Sequence, residues 1–260
     1  MKKSIAELRE LFRNDELTEE RIDQLRSDER KGVQAIINSY EKKKQKEEQL
    51  KKQFVNMQAY EHALAKRGFR FIAGVDEAGR GPLAGPVVAA SVILPSDFTL
   101  YGLTDSKQLN EKQRLNFYHT VKEQAITYNV SIIDNLTIDR MNIFEATKLA
   151  MIQSLKALDP QPDHSLIDAV KLTGLNHPTT PIIKGDQKSV SIAAASIIAK
   201  VTRDLLMKEI HKEFPSYDFK SNMGYGTKHH VEQIKERGIT PYHRKSFAPV
   251  KEVINYQLGW

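Results

Sequence analysis

The hydrophobic pattern of the chain is clearest in two apolar runs, residues 71–75 and 87–94, which a short polar turn separates. Each run is brief, nearly uninterrupted and bounded by charged, glycine or proline residues, which is typical of a buried strand. Because the connection between them is short, the two runs are most simply antiparallel neighbours. The pattern predicts a two-strand unit around which the other elements are placed.

Strands and helices alternate after this unit. A third strand is predicted at residues 128–133, and two shorter apolar runs precede Asp168 and Asp186. Helical periodicity predicts three helices, at residues 111–124, 142–158 and about 192–211. This alternation indicates an α/β fold for residues 66–260, with a basic helical C-terminal part.

Residues 1–65 differ in composition, since they contain no proline whereas all ten prolines lie from Pro82 onward. Ser4 and Glu7 have capping-box spacing ahead of the first of three predicted helices. The third helix either continues through the charged run 41–48 towards Leu64 or bends there. The pattern predicts an all-helical N-terminal extension. Its role is open between a grip on substrate or a protein partner and structural support, and the balanced charges of the run favour a solvated face.

The composition of the chain limits the classes of function that it can have. The 260 residues carry a net charge of +6 and no cysteine, which excludes disulfides, zinc-thiolate sites and thiol nucleophiles. A basic protein favours an anionic partner, most commonly nucleic acid. We find no signal-peptide pattern and no apolar run long enough to span a bilayer, so a cytoplasmic protein without membrane attachment, expected to be monomeric, is predicted. The terminal segment 256–260 either packs on its own domain or docks a partner.

Acidic side chains follow three of the predicted strands. Asp76 and Glu77 end the first run, and Asp168 and Asp186 end two later ones. Each acid alone is most often a strand-end or cap residue, but buried paired carboxylates are costly unless a cation neutralises them. Mg²⁺ and Mn²⁺ prefer carboxylate oxygens. If the strand ends meet at one sheet edge, the acids can share divalent metal ions.

Candidate substrate contacts surround these acids. The turn Gly79-Arg80-Gly81 offers backbone N–H groups and a guanidinium to a phosphate or a ribose hydroxyl. Tyr225, between two glycines, is suited to stacking on a base or sugar. Three lysines near the acids are candidates for phosphate contacts: Lys107, Lys184 and Lys188. His229 and His230 are either metal ligands or, more simply, solvated histidines at a helix start.

Several of these motifs together resemble the bacterial ribonuclease HII family of type 2 ribonucleases H. The similarity includes the stretch from Gly74 through Asp76, Glu77, Gly79, Arg80 and Gly81 to Val88. It continues, in the expected order, through residues 105–109, 142–148, 184–189, 194–200, 224–228 and 243–247. The resemblance covers about residues 68–250.

The resemblance implies a ribonuclease-H-like mixed sheet flanked by helices and hydrolysis of RNA within RNA–DNA hybrids, including cleavage 5′ to a single ribonucleotide embedded in duplex DNA. It implies that Asp76, Glu77, Asp168 and Asp186 bind two Mg²⁺ or Mn²⁺ ions. It further implies that the turn 79–81 senses a ribose 2′-hydroxyl, that Tyr225 stacks at the RNA-to-DNA junction, and that the lysines hold phosphates.

Two departures from the family pattern stand out. Ala169 follows the third acid where many members have glycine, and residues 1–65 lie outside the core pattern. The extension also lacks the sheet-rich character of the ribonuclease HIII N-terminal module, which favours the HII branch. The competing interpretations are a DNA-specific nuclease and a non-catalytic nucleic-acid-binding protein on the same scaffold; the presence of all four acids argues against the second. A replication or repair protein as partner stays open.

Overall fold

The structure, a computed structural model, describes residues 3–258, and the predicted packing or docking of residues 256–260 concerns side chains outside the described part. The chain divides into two compact units, Met1–Val55 and Asn56–Trp260. The predicted division between residues 65 and 66 stays a prediction. Within the described residues, no helix has both the length and the apolar character needed to cross a membrane.

The first unit is helical and has a small apolar core. Its helices are α1 (Ile5–Arg13), α2 (Glu19–Leu25) and the greater part of α3 (Lys31–Met57). The Ser4–Glu7 capping box is formed, as predicted. The buried residues of this core are Leu8, Leu17, Ile22, Leu25, Val33, Ile36 and Ile37. α3 continues without a bend through the charged run 41–48, where no residue is buried, but it ends at Met57, so the predicted continuation of this helix to Leu64 is wrong.

The second unit is an α/β domain. Its strands are β1 (Ile72–Ala78), β2 (Val87–Ile93), β3 (Thr127–Ile133), β4 (His164–Asp168) and β5 (Thr179–Ile182). Its helices are α4 (Ala59–Ala65), α5 (Glu111–Gln124), α6 (Asn135–Met141), α7 (Ile143–Lys156), α8 (Val190–Glu213), α9 (Phe219–Asn222), α10 (Lys228–Arg237) and α11 (Ala248–Leu258). Short 3-10 turns lie at Ser106–Gln108, Gly185–Gln187 and Pro215–Tyr217. The predicted strands and long helices are present, whereas α6 was not predicted.

The sheet has the order β3-β2-β1-β4-β5 and is mixed. β1 is antiparallel to β2, with Asp76 opposite Ala90, and parallel to β4, with Val75 opposite Ile167. β4 and β5 are also parallel, and Asp168 pairs with Ile182. The predicted mixed sheet flanked by helices is confirmed. Its parallel half brings the carboxyl ends of β1, β4 and β5 to the same edge.

Two helices cover opposite faces of the central strands. Ala73 and Val75 of β1 share a core cluster with α7 residues such as Met151 and Leu155. Gly74, between them, faces the first turn of α8, where its backbone lies against Ser191. This alternation is the period of two expected for a strand buried on both faces. The close approach sets the depth at which α8 lies under the acid-bearing end of β1.

A third core cluster supports the C-terminal part. It joins residues of the segment after β1, the end of α8 and the helices that follow: Leu83, Ala84, Met207, Tyr217, Phe219, Ile234 and Val250. This cluster lies beneath the turn 224–226, since a Cβ on Gly224 or Gly226 would meet Ala84 or Leu83.

Gly74→Ala tests the close packing of α8 on β1. A Cβ at this position would lie 2.0 Å from the Ser191 carbonyl carbon, a backbone atom that cannot rotate away. We expect a loss of about 3 kcal/mol in the free energy of unfolding, measured with urea. Gly81→Ala is the matched control, since its added Cβ meets only a Tyr225 ring atom at 3.4 Å. Equal stability of both variants would contradict this account of the packing.

Candidate active site

The four predicted acids lie at one edge of the sheet. Asp76 and Glu77 are near the carboxyl end of β1, and Asp168 is the last residue of the parallel strand β4. Asp186 lies in the 3-10 turn directly after β5, which is parallel to β4. The strand directions explain this placement, because parallel strands end at the same edge. The predicted meeting of the strand ends is thus observed.

Backbone amides orient two of these carboxylates. The Glu77 amide donates to Asp76 Oδ1 at 2.7 Å, and the Gly185 amide donates to Asp168 Oδ1 at 2.6 Å. The second contact ties the end of β4 to the turn that carries Asp186. Ala169, the departure from the family pattern, has φ 51, a left-handed conformation that glycine adopts with less strain. The turn is nevertheless formed, since the Ala169 amide donates to the Ile182 carbonyl at 3.0 Å.

Burial and mutual repulsion raise the pKa values of these acids. Burial, then the charges of Glu77 and Asp168, raises the pKa of Asp76 well above its ordinary value. Burial also raises the pKa of Glu77, against the opposing charge of Arg80, whose guanidinium lies 3.4 Å from Glu77 Oε1. The positive charge near Asp76 and Glu77 is thus too small to offset the cost of burying their ionised forms.

Asp168 and Asp186 follow the same pattern. Burial raises the pKa of Asp168, while the Gly185 amide and Lys107 oppose the shift. Burial, then the charges of Asp105 and Asp168, raises the pKa of Asp186 to about 6. A bound cation would reduce the repulsion within such a cluster, because it favours the charged form of every acid at once.

The residues present fit hard divalent cations. All candidate ligands are carboxylate oxygens, the donor type that Mg²⁺ and Mn²⁺ prefer. Glu77 Oε2 is buried and has no hydrogen-bond partner among the described residues, so one acceptor of the cluster is left unsatisfied. Among residues 3–258, no three His, Asp or Glu side chains already form a ready-made ion site. The sheet edge therefore gathers the ligands without closing them around one point.

Asp105 is a further buried carboxylate beside the four acids, and the sequence analysis did not assign it to the acidic cluster. It is 8% exposed, its Oδ1 accepts from the Lys107 amide at 2.9 Å, and its charge contributes to the raised pKa of Asp186. The sequence analysis included it only in the segment 105–109 that resembles the family. Capping is what it does, at the turn Ser106–Gln108. Its closeness to Asp186 arises from tertiary packing alone.

A cleft of about 670 Å³ opens beside the acids. Its walls include Glu77 and five of the predicted substrate-binding residues: Gly79, Arg80, Gly81, Lys107 and Tyr225. They also include residues that were not predicted: Ala78, Ser106, Ile143, Ser196, Lys200 and Arg203. Lys184 and Lys188 are exposed on either side of the Asp186 turn and do not line this cleft. Their role in phosphate binding stays a prediction.

Arg244 builds the turn that carries Arg80. It is fully buried, and its guanidinium donates to the backbone carbonyls of Gly79 at 2.6 Å and Arg80 at 2.9 Å. Further bonds reach the carbonyls of Gly85 and Pro86. Burial lowers the pKa of Arg244 to about 9. All of these hydrogen bonds from the buried Arg244 guanidinium go to backbone carbonyl groups.

Arg203, on α8, joins the same segment to the turn that carries Tyr225. Its guanidinium donates to the carbonyls of Ala84 and Pro86 at 3.1 and 3.0 Å and to that of Met223 at 2.9 Å. Burial lowers the pKa of Arg203 to about 10. The two arginines therefore fix the separation of the predicted 2′-hydroxyl sensor from the predicted stacking residue.

Two buried histidines support Tyr225 from behind. His230 Nδ1 lies 2.8 Å from the Tyr225 carbonyl oxygen, and its Nε2 lies 3.0 Å from His243 Nε2. The Thr240 amide donates to His243 Nδ1 at 2.9 Å. These contacts assign the protons: His243 Nε2–H donates to His230 Nε2, and His230 Nδ1–H donates to Tyr225.

The prediction that both histidines of the 229–230 pair are solvated is wrong for His230, which is fully buried. His229 is exposed, and its Nε2 contacts the Ser216 carbonyl oxygen at 3.1 Å. Burial lowers the pKa of His230, and burial followed by the His230 charge lowers the pKa of His243 to about 3. Both rings are therefore held neutral behind the Tyr225 turn.

A mixed sheet with buried carboxylates at one edge, opening on a basic cleft, defines a metal-dependent nuclease of the ribonuclease-H-like class. Comparison with known proteins identifies the branch. The family model described as "Ribonuclease HII" matches residues 73–250, and that described as "Ribonuclease HII N-terminal domain" matches residues 4–65. The chain belongs to the ribonuclease HII family. The helical extension, expected to lie outside the family pattern, is thus a domain found with this family.

Individual relatives agree with this assignment. The chain is 56% identical over 247 residues to ribonuclease HII of Oceanobacillus iheyensis, covering 95% of each chain. It is similar to the crystal structure of the ribonuclease H2 from Pyrococcus horikoshii OT3, with 26% identity, a TM-score of 0.62, and coverage of 72% of this chain and 98% of that one. The crystal structure of Bst-RNase HIII in complex with Mn²⁺ shares the fold, with 21% identity, a TM-score of 0.56, and coverage of 72% of this chain and 70% of that one.

Membership of this family gives the activity. The protein is a metal-dependent endoribonuclease that cleaves RNA–DNA hybrids and acts at ribonucleotides embedded in DNA. This family uses divalent metal ions.

The neutral histidine pair predicts a pH effect on stability. The pKa of His243 is lowered in the folded state, so below about pH 6.5 the unfolded chain binds a proton that the folded chain does not. Stability contributed by His243 is therefore lost as pH falls, by about 2 kcal/mol between pH 7 and pH 5. The site acids, whose pKa values are raised, act with the opposite sign, so wild type and variant must be compared at each pH.

We expect His243→Gln to lose less stability than wild type between pH 7 and pH 5 in urea unfolding without divalent metal. His119→Gln removes an exposed histidine on α5 and serves as the control. If the difference between wild type and His243→Gln stays constant over this pH range, the neutral pair is not the source of the effect.

Proposed function

We propose that Asp76, Glu77, Asp168 and Asp186 hold two divalent ions, Mg²⁺ or Mn²⁺, and that these four acids carry the hydrolysis. The observation that supports this most directly is their placement at one sheet edge beside the cleft. When bound, such ions activate the attacking water and stabilise the leaving oxygen of the phosphodiester. Asp76, the most deeply buried of the four, is oriented by the Glu77 amide and contributes the innermost carboxylate.

The cleft supplies the recognition of ribose. The turn 79–81 presents backbone groups and the Arg80 guanidinium, and we infer that it contacts the 2′-hydroxyl that separates RNA from DNA. The Tyr225 ring is 46% exposed and lies against this turn, near enough that a Cβ on Gly81 would meet it at 3.4 Å. Stacking of this ring on the next nucleotide would allow a single embedded ribonucleotide to be recognised.

Lysines in and near the cleft are the proposed contacts to the phosphate groups of the substrate. Lys107 lies among the acids, where the charges of Asp105, Asp76 and Asp186 raise its pKa against the opposing effect of burial, which is the largest single influence. We infer that Lys107 contacts a phosphate next to the cleaved bond, and that Lys184 and Lys188 contact the backbone farther along. A monomeric, cytoplasmic enzyme and an unidentified replication or repair partner stay predictions.

The proposal is tested first on a DNA duplex that carries one ribonucleotide, with an all-DNA duplex as control. We expect cleavage on the 5′ side of the ribonucleotide with Mg²⁺ or Mn²⁺, none with EDTA, and none of all-DNA. Asp76→Asn should reduce cleavage roughly 100-fold or more, because it removes a ligand charge, while binding of the duplex measured by fluorescence anisotropy persists. Near-normal turnover of this variant would overturn the metal assignment.

The stacking role is tested with Tyr225→Ala. Base–aromatic stacking contributes about 1–3 kcal/mol, so we expect kcat/KM on the single-ribonucleotide duplex to fall about tenfold or more, with a smaller loss on a long RNA–DNA hybrid. Tyr225→Phe is the matched control, since it keeps the ring and removes only the hydroxyl. Equal losses on both substrates would remove the junction role while leaving the four acids in place.

A further inference from the structure

The carboxylate of Glu61 is bound to the first turn of α8. Glu61 Oε1 accepts from the Ser189 hydroxyl at 2.6 Å, the Ser191 hydroxyl at 2.7 Å and the Ser191 amide at 3.0 Å. Both serines are buried. Glu61 lies on the short helix α4, within the segment that matches the family's N-terminal domain. None of the proposed catalytic side chains takes part in this contact.

The contact completes the cap of α8. Ser189 is the N-cap residue, and its hydroxyl oxygen accepts from the Ile192 amide at 3.2 Å. Because the same hydroxyl donates its proton to Glu61, its lone pairs stay available to that amide. The Ser191 amide, one of the donors without a partner inside the helix, is satisfied by Glu61 directly. A negative charge at this end of α8 also complements the helix dipole.

This helix start is directly connected to the proposed metal ligands. The Ser189 amide donates to the Gly185 carbonyl at 2.8 Å, which closes the turn that carries Asp186. Gly185 in turn donates its amide to Asp168 at 2.6 Å. On the other side, Ser191 lies against Gly74 of β1, two residues before Asp76. Movement of the α8 start would therefore displace the supports of acids on two strands and one turn.

We propose that Glu61 is a positioning residue for the metal site, which anchors the start of α8 and so holds Asp186 and Asp168 at the geometry that binds the ions. This inference rests on the proposed function of those acids. It gives the end of the family's N-terminal segment a place in the catalytic machinery. Deleting residues 1–65 would then remove part of the support of the active site.

The test uses the full-length chain and Mn²⁺ as the probe. Free Mn²⁺ is measured by electron paramagnetic resonance, which reports binding without turnover. We expect Glu61→Ala to weaken Mn²⁺ binding about tenfold, in the range seen when an outer support of a metal ligand is lost, and to lower kcat with KM for the duplex nearly unchanged. Glu61→Gln, which keeps an acceptor oxygen, should recover most of the loss.

A double-mutant cycle makes the test specific. Ser191→Ala removes the partner hydroxyl, so the effects of Glu61→Ala and Ser191→Ala on Mn²⁺ affinity should be less than additive in the double variant. If Glu61→Ala lowers the unfolding temperature but leaves Mn²⁺ affinity at the wild-type value, Glu61 is only a helix cap and the inference fails.

Asp186→Asn separates failure of this inference from failure of the proposed function. If Asp186→Asn weakens Mn²⁺ binding and Glu61→Ala does not, the four-acid site stands and the role of Glu61 is overturned. If neither variant changes Mn²⁺ binding, the assignment of Asp186 as a ligand is overturned as well.

Discussion

Hydrogen bonds from two buried guanidinium groups to backbone carbonyls hold the substrate side of this protein together. The segment after β1 turns repeatedly, so its carbonyl groups lack sheet partners and need other hydrogen-bond donors once they are buried. Arg244 and Arg203 satisfy them, and Arg203 adds the Met223 carbonyl beside the Tyr225 turn. Hydrogen bonds to a charged group contribute about 1.5–3 kcal/mol each, and removing the donor leaves several buried carbonyls unsatisfied. Both recognition turns therefore depend on the same pair of side chains.

The two sides of the cleft show opposite solutions to buried charge. On the substrate side, the buried guanidinium groups of Arg203 and Arg244 donate their hydrogen bonds to backbone carbonyl groups, which fixes the geometry of the turns without using a carboxylate. On the sheet side, the carboxylates repel one another, and burial, Asp105 and Asp168 raise the pKa of Asp186 to about 6. Because Arg203 and Arg244 donate their hydrogen bonds to carbonyl groups, they form no ion pair with the four acids. Lys107 and Arg80 compensate part of the charge, and the remainder favours divalent cations.

Much of this site could be predicted from the sequence, because strand-end acids and glycine-flanked turns are local signals. Asp76, Asp168 and Asp186 each follow an apolar run. The parallel pairing of β1, β4 and β5 then brings these three acids to one edge of the sheet. The residues that support the site from other parts of the chain have no such local signal. Arg203 lies on a helix, and the carbonyls it contacts precede it by 117 and 119 residues. His230 has the local sequence of a solvated helix start, yet packing against His243 buries it completely. Asp105 caps the turn Ser106–Gln108 and, through tertiary packing, also lies close to Asp186. Contacts between distant segments leave no periodic pattern, so they were missed.

The N-terminal segment defined by the family and the first compact unit of the structure have different boundaries. The family's N-terminal segment extends to residue 65, whereas the compact units divide between Val55 and Asn56. α4 therefore matches the N-terminal segment by sequence but belongs to the catalytic unit by its packing. The carboxylate of Glu61 ties α4 to this unit, since it accepts hydrogen bonds from three donors at the start of α8. A catalytic unit defined by the sheet alone would leave the helix that supports Asp186 without its cap.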